Sequence, residues 1–371
     1  MIASRFHPSA IPPPLTIAPL LLLALVPGAL AQAVGDDGAL APEAIEAARS
    51  APLFQTDDVL EFTLHADFNT IRRRDREEDA EERPARLQLT ADGSETTLEL
   101  KIQTRGNWRL NSRNCQFPPL WLDFDKDDEA LNGTVFEGQN RLKLYVTCRP
   151  GRDDYERYIY TEYVIYPAYN ALTDLSFRAR PARVTYVDTS GEDDTFTSNA
   201  FILEHKDQMA ARNGATPIEL TQLHPRSISQ ADAALVEVFN YAIGMTDYSG
   251  VFMHNIEPIR SMDGTVIPVS YDFDWSGTIN ARYAEPNPNL RIRNVRERIF
   301  QGFCREDLDY GQVFQRFTDK REEMLAVVRN FDGLEEDRRD RVIDYWEDFF
   351  EMAADEGDQE DILRDCRKMP G

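Results

Sequence analysis

The sequence predicts an α+β protein with a β-rich N-terminal lobe and a mainly helical C-terminal lobe. Three observations predict it. Apolar and polar residues alternate through much of residues 57–200, apolar residues recur at helical spacing through much of residues 201–371, and an apolar strand from Val266 leads into a short acidic segment. A chain of 371 residues is long enough for two such lobes with a sizeable core.

A leader precedes both lobes. Arg5 is its one basic residue, Leu15 to Val26 forms an apolar run too short to cross a membrane comfortably, and Ala29-Leu30-Ala31 supplies a small-x-small cleavage pattern. Residues 1–31 are therefore expected to be a signal peptide and residues 32–56 a linker. Export implies a periplasmic or extracellular protein, with no membrane contact once the leader is removed. The formal charge of -24 argues against nucleic acid or an anionic membrane as the main partner, because phosphates would be repelled. It suits a soluble protein able to hold cations.

The 4 cysteines are Cys115, Cys148, Cys304 and Cys366. An even count in an exported chain favours disulfides. Of the possible pairings, Cys115–Cys148 and Cys304–Cys366 are preferred, because each closes a loop within one half of the chain. No Cys-x-x-Cys spacing points to zinc.

Leu60, Phe62 and Leu64 alternate as a strand. The mixed-charge run from Ile71 to Arg83 has almost nothing to bury and reads as a solvated loop. Leu87 and Leu89 precede Asp92-Gly93, and Leu98, Leu100 and Ile102 follow it, which is a hairpin pattern. The second strand enters Arg105-Gly106-Asn107-Trp108-Arg109. Phe117 to Phe124 and Leu142 to Val146 are further strands. Asp153 to Leu172 is a tyrosine-rich helix that Pro167 should kink or end. Val184 to Val187 and Phe201 to Leu203 are strands again.

The back half turns helical. Ser229 caps a helix through Ala233, Val236, Phe239 and Ile243, and Met245 to Gly250 begins a loop. Phe252 to Ile256 and Val266 to Tyr271 are expected to pair across Met262-Asp263-Gly264. Two later helices carry broad apolar stripes, around Val313 to Val328 and around Val342 to Phe350.

The acidic segment is Tyr271-Asp272-Phe273-Asp274-Trp275-Ser276-Gly277. On an extended chain Asp272 and Asp274 share a face, and two carboxylates that close need a proton or a cation between them. A hard divalent metal with oxygen ligands meets that need. Asp247 in the preceding loop and Asn255 on the first strand of the hairpin complete the order of loop carboxylate, amide oxygen and strand-end carboxylate.

With those residues in place the chain is similar, distantly, to the CotH kinase-like family of secreted and spore-coat proteins. The matching pieces are Arg105-Gly106-Asn107 after a hairpin, Phe201-Ile202-Leu203-Glu204, Asp247 with His254-Asn255, and the acidic segment. The resemblance implies an atypical protein-kinase-like fold and transfer of phosphate from ATP, with magnesium or manganese, to protein Ser or Thr. It makes Asp247 the catalytic carboxylate, Asn255 and Asp272 the metal ligands with Asp274 nearby, and Arg105 a phosphate contact. Lys143, with Glu162 as its ion-pair partner, is the choice for the nucleotide lysine, and Lys206 the alternative. A lysine between Leu142 and Leu144 is more often accounted for by snorkelling or a structural salt bridge than by ATP binding. No glycine-rich phosphate loop is evident. An exported kinase also needs a phosphoryl donor outside the cytoplasm, where ATP is scarce.

A second reading belongs to a different class. Asp272, Asp274, Ser276, Gly277 and Ile279 fit the opening positions of an EF-hand-like calcium loop, although Tyr283 stands where the bidentate Glu belongs. That reading makes the protein a non-catalytic, Ca2+-stabilised binding or structural module.

Overall fold

The computed structural model describes residues 40–73, 80–91 and 93–370; the expected signal peptide, residues 74–79 of the charged run and Asp92 of the first hairpin turn lie outside them. In chain order the elements are helix α1 (Pro42–Arg49), strand β1 (Leu60–Ala66), helix α2 (Phe68–Arg72), hairpin β2 (Arg83–Ala91) and β3 (Ser94–Thr104), and strands β4 (Leu120–Phe124) and β5 (Arg141–Val146). Helix α3 (Asp153–Leu172), hairpin β6 (Ala179–Asp188) and β7 (Phe196–Leu203), helix α4 (Lys206–Arg212), strand β8 (Ala215–Pro217) and helix α5 (Gln230–Ala242) follow. Hairpin β9 (Ile256–Ser261) and β10 (Val266–Ser270) then leads to helices α6 (Tyr310–Asn330), α7 (Glu336–Ala354) and α8 (Glu356–Leu363).

The front half corrects the fold expected from the sequence. Strands β1 to β7 are not the open sheet of a bilobed kinase-like protein; they close into a barrel in the order β1-β2-β3-β4-β5-β7-β6. Closure is made by β1, antiparallel to β2 on one side and parallel to β6 on the other, from Leu60 opposite Ala182 to Ala66 opposite Asp188. The physical reason is the edge: a seven-residue strand of alternating burial leaves a row of unpaired backbone groups unless a partner covers it. Nothing local to β1 names that partner.

Alternation fills the barrel. Phe62, Leu64, Leu87, Leu98, Ile102, Leu122, Leu142, Leu144, Val184 and Ile202 belong to one buried cluster. The same period turns the alternate residues of β5, Lys143 and Tyr145, away from it, and Tyr145 packs into the second cluster with the helices. Lys143 thus sits between two leucines because it faces the opposite side of the wall.

The second core is built by α3, α5, α6, α7 and the antiparallel sheet β10-β9-β8. Although α3 falls within residues 57–200, it packs here. Its tyrosines are buried with useful hydroxyls: Tyr160 donates to the Ala182 carbonyl at 2.9 Å and Tyr163 to Asp57 at 3.1 Å. Pro167 neither ends nor interrupts the assigned helix, which runs on to Leu172. Ser229 caps α5 by accepting from the Asp232 amide. Residues 40–56 of the expected linker carry α1, whose Ala44 and Ala48 are buried and whose Arg49 donates to the Arg212 carbonyl at 3.0 Å.

Both disulfides join the expected cysteines, Cys115 to Cys148 and Cys304 to Cys366, and no free cysteine remains among the described residues. They suit an oxidising compartment. Among the described residues no helix is long and apolar enough to cross a membrane.

Candidate functional site

The site lies where the outer wall of β5 meets the end of the β9–β10 hairpin. Asn240 of α5 fixes β10 through a reciprocal pair of bonds with Ser270, at 3.1 and 3.2 Å. Beyond Ser270 the strand stops, so Asp272 and Asp274 are not neighbours on one face of an extended chain, as their spacing suggested. Asp272 instead takes a left-handed backbone, φ 62°, with its amide held by the Tyr166 hydroxyl at 3.1 Å. Asn255 also lies outside its expected strand: β9 begins one residue later, and Asn255 has φ 53°. Two adjoining non-glycine residues at positive φ store backbone strain that Asn and Asp tolerate best. The Tyr271 amide ties them together by donating to the Asn255 carbonyl at 3.1 Å.

Asp274 is 8% exposed and ion-paired to Arg109 at 2.8 Å. The Tyr283 hydroxyl lies 3.4 Å from the same carboxylate oxygen and 3.1 Å from the Arg109 guanidinium. Burial first, and then the Asp272 charge, raise the Asp274 carboxyl to about 6 against the opposing pull of Arg109. Glu162 on α3 is 1% exposed, and its Oε1 has no hydrogen-bond partner. Burial, followed by the charge of Asp274, lifts its carboxyl well above the usual range. Glu162 therefore joins the acidic pair rather than Lys143. No ion pair links Lys143 to Glu162 among the described residues; the charges acting on Lys143 are Arg105, Asp272, Glu257 and Lys206.

Lys143 and Arg105 form the cationic wall. The Lys143 ammonium lies 4.2 Å from the centre of the Tyr271 ring, and the Arg105 guanidinium 4.8 Å from that of Tyr145. Arg105 is 8% exposed. Among the described residues no carboxylate comes within ion-pair distance of either. Burial, then the adjacent Arg105, lower the Lys143 ammonium to about 7. Lys206 stands apart from this wall, bound by Glu219 and, at 3.5 Å, by Glu257.

Asp247 lies in the loop after α5. His254 Nε2 sits 3.1 Å from its carboxylate, and that hydrogen bond is the main cause of a raised His254 pKa. The Asn255 side-chain nitrogen donates to the Asp247 carbonyl at 2.7 Å, which leaves its side-chain oxygen available as an acceptor. Asp247 is near enough for its charge to register on Asp274. Glu204, one of the residues carrying the family resemblance, is structural: it is buried against Arg212 at 2.9 Å and accepts from the Arg178 amide.

The side chains of Asp272, Asn255, Asp274 and Glu162 all offer oxygen, the donor type a hard divalent cation takes, and the Glu162 Oε1 has no hydrogen-bond partner. Among the described residues no group of three or more His, Cys, Asp and Glu side chains is placed to hold a metal ion. Tyr283, at the closing position of the calcium-loop pattern, bonds to Asp274 and Arg109 instead of supplying a carboxylate.

Sequence reasoning missed the roles of Arg109 and Tyr283. Arg109 was visible only as the second arginine flanking Gly106, and nothing in its local pattern names a partner far along the chain. The chain matches no protein-family model and no curated protein sequence.

Proposed function

We propose that this site binds a metal-bound nucleotide and transfers its terminal phosphate to a hydroxyl of a protein acceptor, on a barrel scaffold and outside the cytoplasm. One observation carries the reading: Arg105 and Lys143 face the acidic pair without a carboxylate partner of their own. Buried cations are costly unless paired, and an anion bearing several charges is the partner this geometry asks for.

Arg105 and Lys143 would then bind phosphate oxygens, the arginine through its fixed fork and the lysine as a point charge. Asp272 and Asn255, with Asp274 beside them, would hold magnesium or manganese. The metal, when bound, neutralises charge on the phosphates. Arg109 keeps Asp274 ionised and fixed, and Tyr283 braces that pair. Asp247, oriented by His254, accepts a hydrogen bond from the acceptor hydroxyl and takes its proton as the new phosphorus–oxygen bond forms. The short motifs shared with CotH kinase-like proteins support this assignment of roles.

The test is calorimetric titration of the leader-free protein with ATP in magnesium, in manganese and without metal. Metal-dependent binding that Asp272→Asn and Lys143→Met each weaken at least tenfold is expected. Equal affinity with and without metal, or binding untouched by both substitutions, would sink the reading. In a transfer assay Asp247→Asn should lower kcat about 10²-fold or more while leaving ATP affinity unchanged.

A further inference from the structure

The cationic wall continues past the site. Trp121 on β4 pairs across the ladder with Lys143, and three cations surround its half-buried indole. The Arg141 guanidinium lies 4.6 Å from the ring centre, Arg105 5.5 Å and the Lys143 ammonium 5.6 Å. Among the described residues none of the three has a carboxylate within 4.0 Å. Arg141 is bonded through one terminal nitrogen to Gln103 at 2.6 Å, while its buried Nε has no hydrogen-bond partner. Several carboxylates stand near without closing on them: Glu82 feels Arg141, and Asp272 acts on Lys143 and Arg105. Asp123 feels Arg141, and Glu257 feels Lys143 but is engaged by Lys206 at 3.5 Å.

In a protein of charge -24, three cations left to share one aromatic ring are conspicuous. The ring offsets their repulsion in part. The rest calls for an anion. Arg141 and Lys143 are two residues apart on one face of β5, so their backbones are separated by about 6.6 Å. That span exceeds a single phosphate group and suits alternate phosphates of a condensed chain. The track also has a direction. Lys143 and Arg105 are near Asp272, whereas Arg141 lies outward beside Asp123 and Gln103.

We infer that Arg105, Lys143 and Arg141 form a track for a linear condensed phosphate, with its reactive end at Asp272 and its tail running out over Trp121. The inference rests on the phosphotransfer reading and names its donor class, of which a nucleoside triphosphate is the short member. The transfer balances. The acceptor oxygen bonds to the terminal phosphorus, and the bridging phosphorus–oxygen bond breaks with its electron pair on the remaining chain. The donor leaves one phosphate shorter, and the hydroxyl proton passes to Asp247. Such a donor does not depend on ATP outside the cytoplasm.

The experiment titrates the leader-free protein, in magnesium, with ATP, tripolyphosphate and a long-chain polyphosphate. The variants are Lys143→Met, Arg141→Gln and, as a control for surface charge, Lys101→Gln, whose lysine is exposed and paired with Glu82 at 2.9 Å. Expected is a preference of about tenfold for the long chain over tripolyphosphate, removed by Arg141→Gln and kept by Lys101→Gln. A long chain that binds no better than tripolyphosphate overturns the track. So does a length preference lost equally in Lys101→Gln, which would mark general charge attraction. ATP binding that needs Lys143 but shows no length preference removes this inference alone. Failure of all three ligands to bind removes both readings.

Discussion

Lys143 carries the site at the scale of single residues. Its ammonium is lowered from 10.5 to about 7, chiefly by burial and next by Arg105. The sign of the consequence is fixed. Between pH about 7 and 10.5 the unfolded chain still holds a proton that the folded chain has released, so this group makes stability rise with pH across that window. Lys143→Met should lose that rise. The check is the urea midpoint of both proteins at pH 6 and pH 9, compared as a difference so that other groups cancel. An identical pH response in the two would place Lys143 in ordinary solvent. A phosphate ligand should reverse the shift by favouring the charged amine, so binding at pH 8 is expected to take up protons. Asp274 works in the opposite sense: a carboxyl raised to about 6 makes the folded state less favourable as pH climbs through the interval above its ordinary value of 3.8.

Among the elements, the contact between the end of α5 and the turn after the acidic segment sets how the hairpin meets the helices. Gly277 donates its amide to the Gly244 carbonyl at 3.0 Å, and Thr278 donates to Ile243 at 3.0 Å. A Cβ on Gly277 would stand 2.5 Å from the Tyr345 hydroxyl and 2.7 Å from the Val295 carbonyl. Gly244 adds a left-handed backbone, φ 67°. Gly277→Ala is therefore expected to destabilise by about 1–3 kcal/mol through overpacking. A thermal melt unchanged within error would show that the turn can shift freely. Because Asp274 lies on this turn, the same substitution should also weaken metal-dependent ATP binding.

The two disulfides act on the whole molecule. Cys115–Cys148 closes 33 residues and ties the loop carrying Arg109 to the end of β5, where Arg109 donates to the Val146 carbonyl at 3.4 Å. Cys304–Cys366 closes 62 residues and holds the C-terminal segment against Phe303, the Cys304 amide donating to the Arg367 carbonyl at 2.9 Å. Replacing either pair with serines should cost about 2–4 kcal/mol, read from denaturant unfolding. Loss of the first pair should also loosen the Arg109–Asp274 contact and lower ligand affinity. Loss of the second leaves that contact alone and should affect stability only.

The sequence by itself determined the strands of the front half, the tyrosine helix, the α5 cap and the residues Asp247, Asn255, Asp272 and Asp274 as a group worth weighing, and it favoured the cysteine pairing that the fold then made. These features are local: a period of two, a helical repeat, a capping serine or a spacing within one hairpin. Tertiary structure decided the closure of the barrel, because the parallel partner of Leu60–Ala66 lies beyond β5 and α3 and leaves no mark on β1. It also decided that Glu162 joins the acids, that Arg109 neutralises Asp274, and that Arg105, Lys143 and Arg141 gather around Trp121. Charge partners are chosen by distance in space, and the low dielectric of a packed interior enlarges every such choice, whereas a sequence records only distance along the chain.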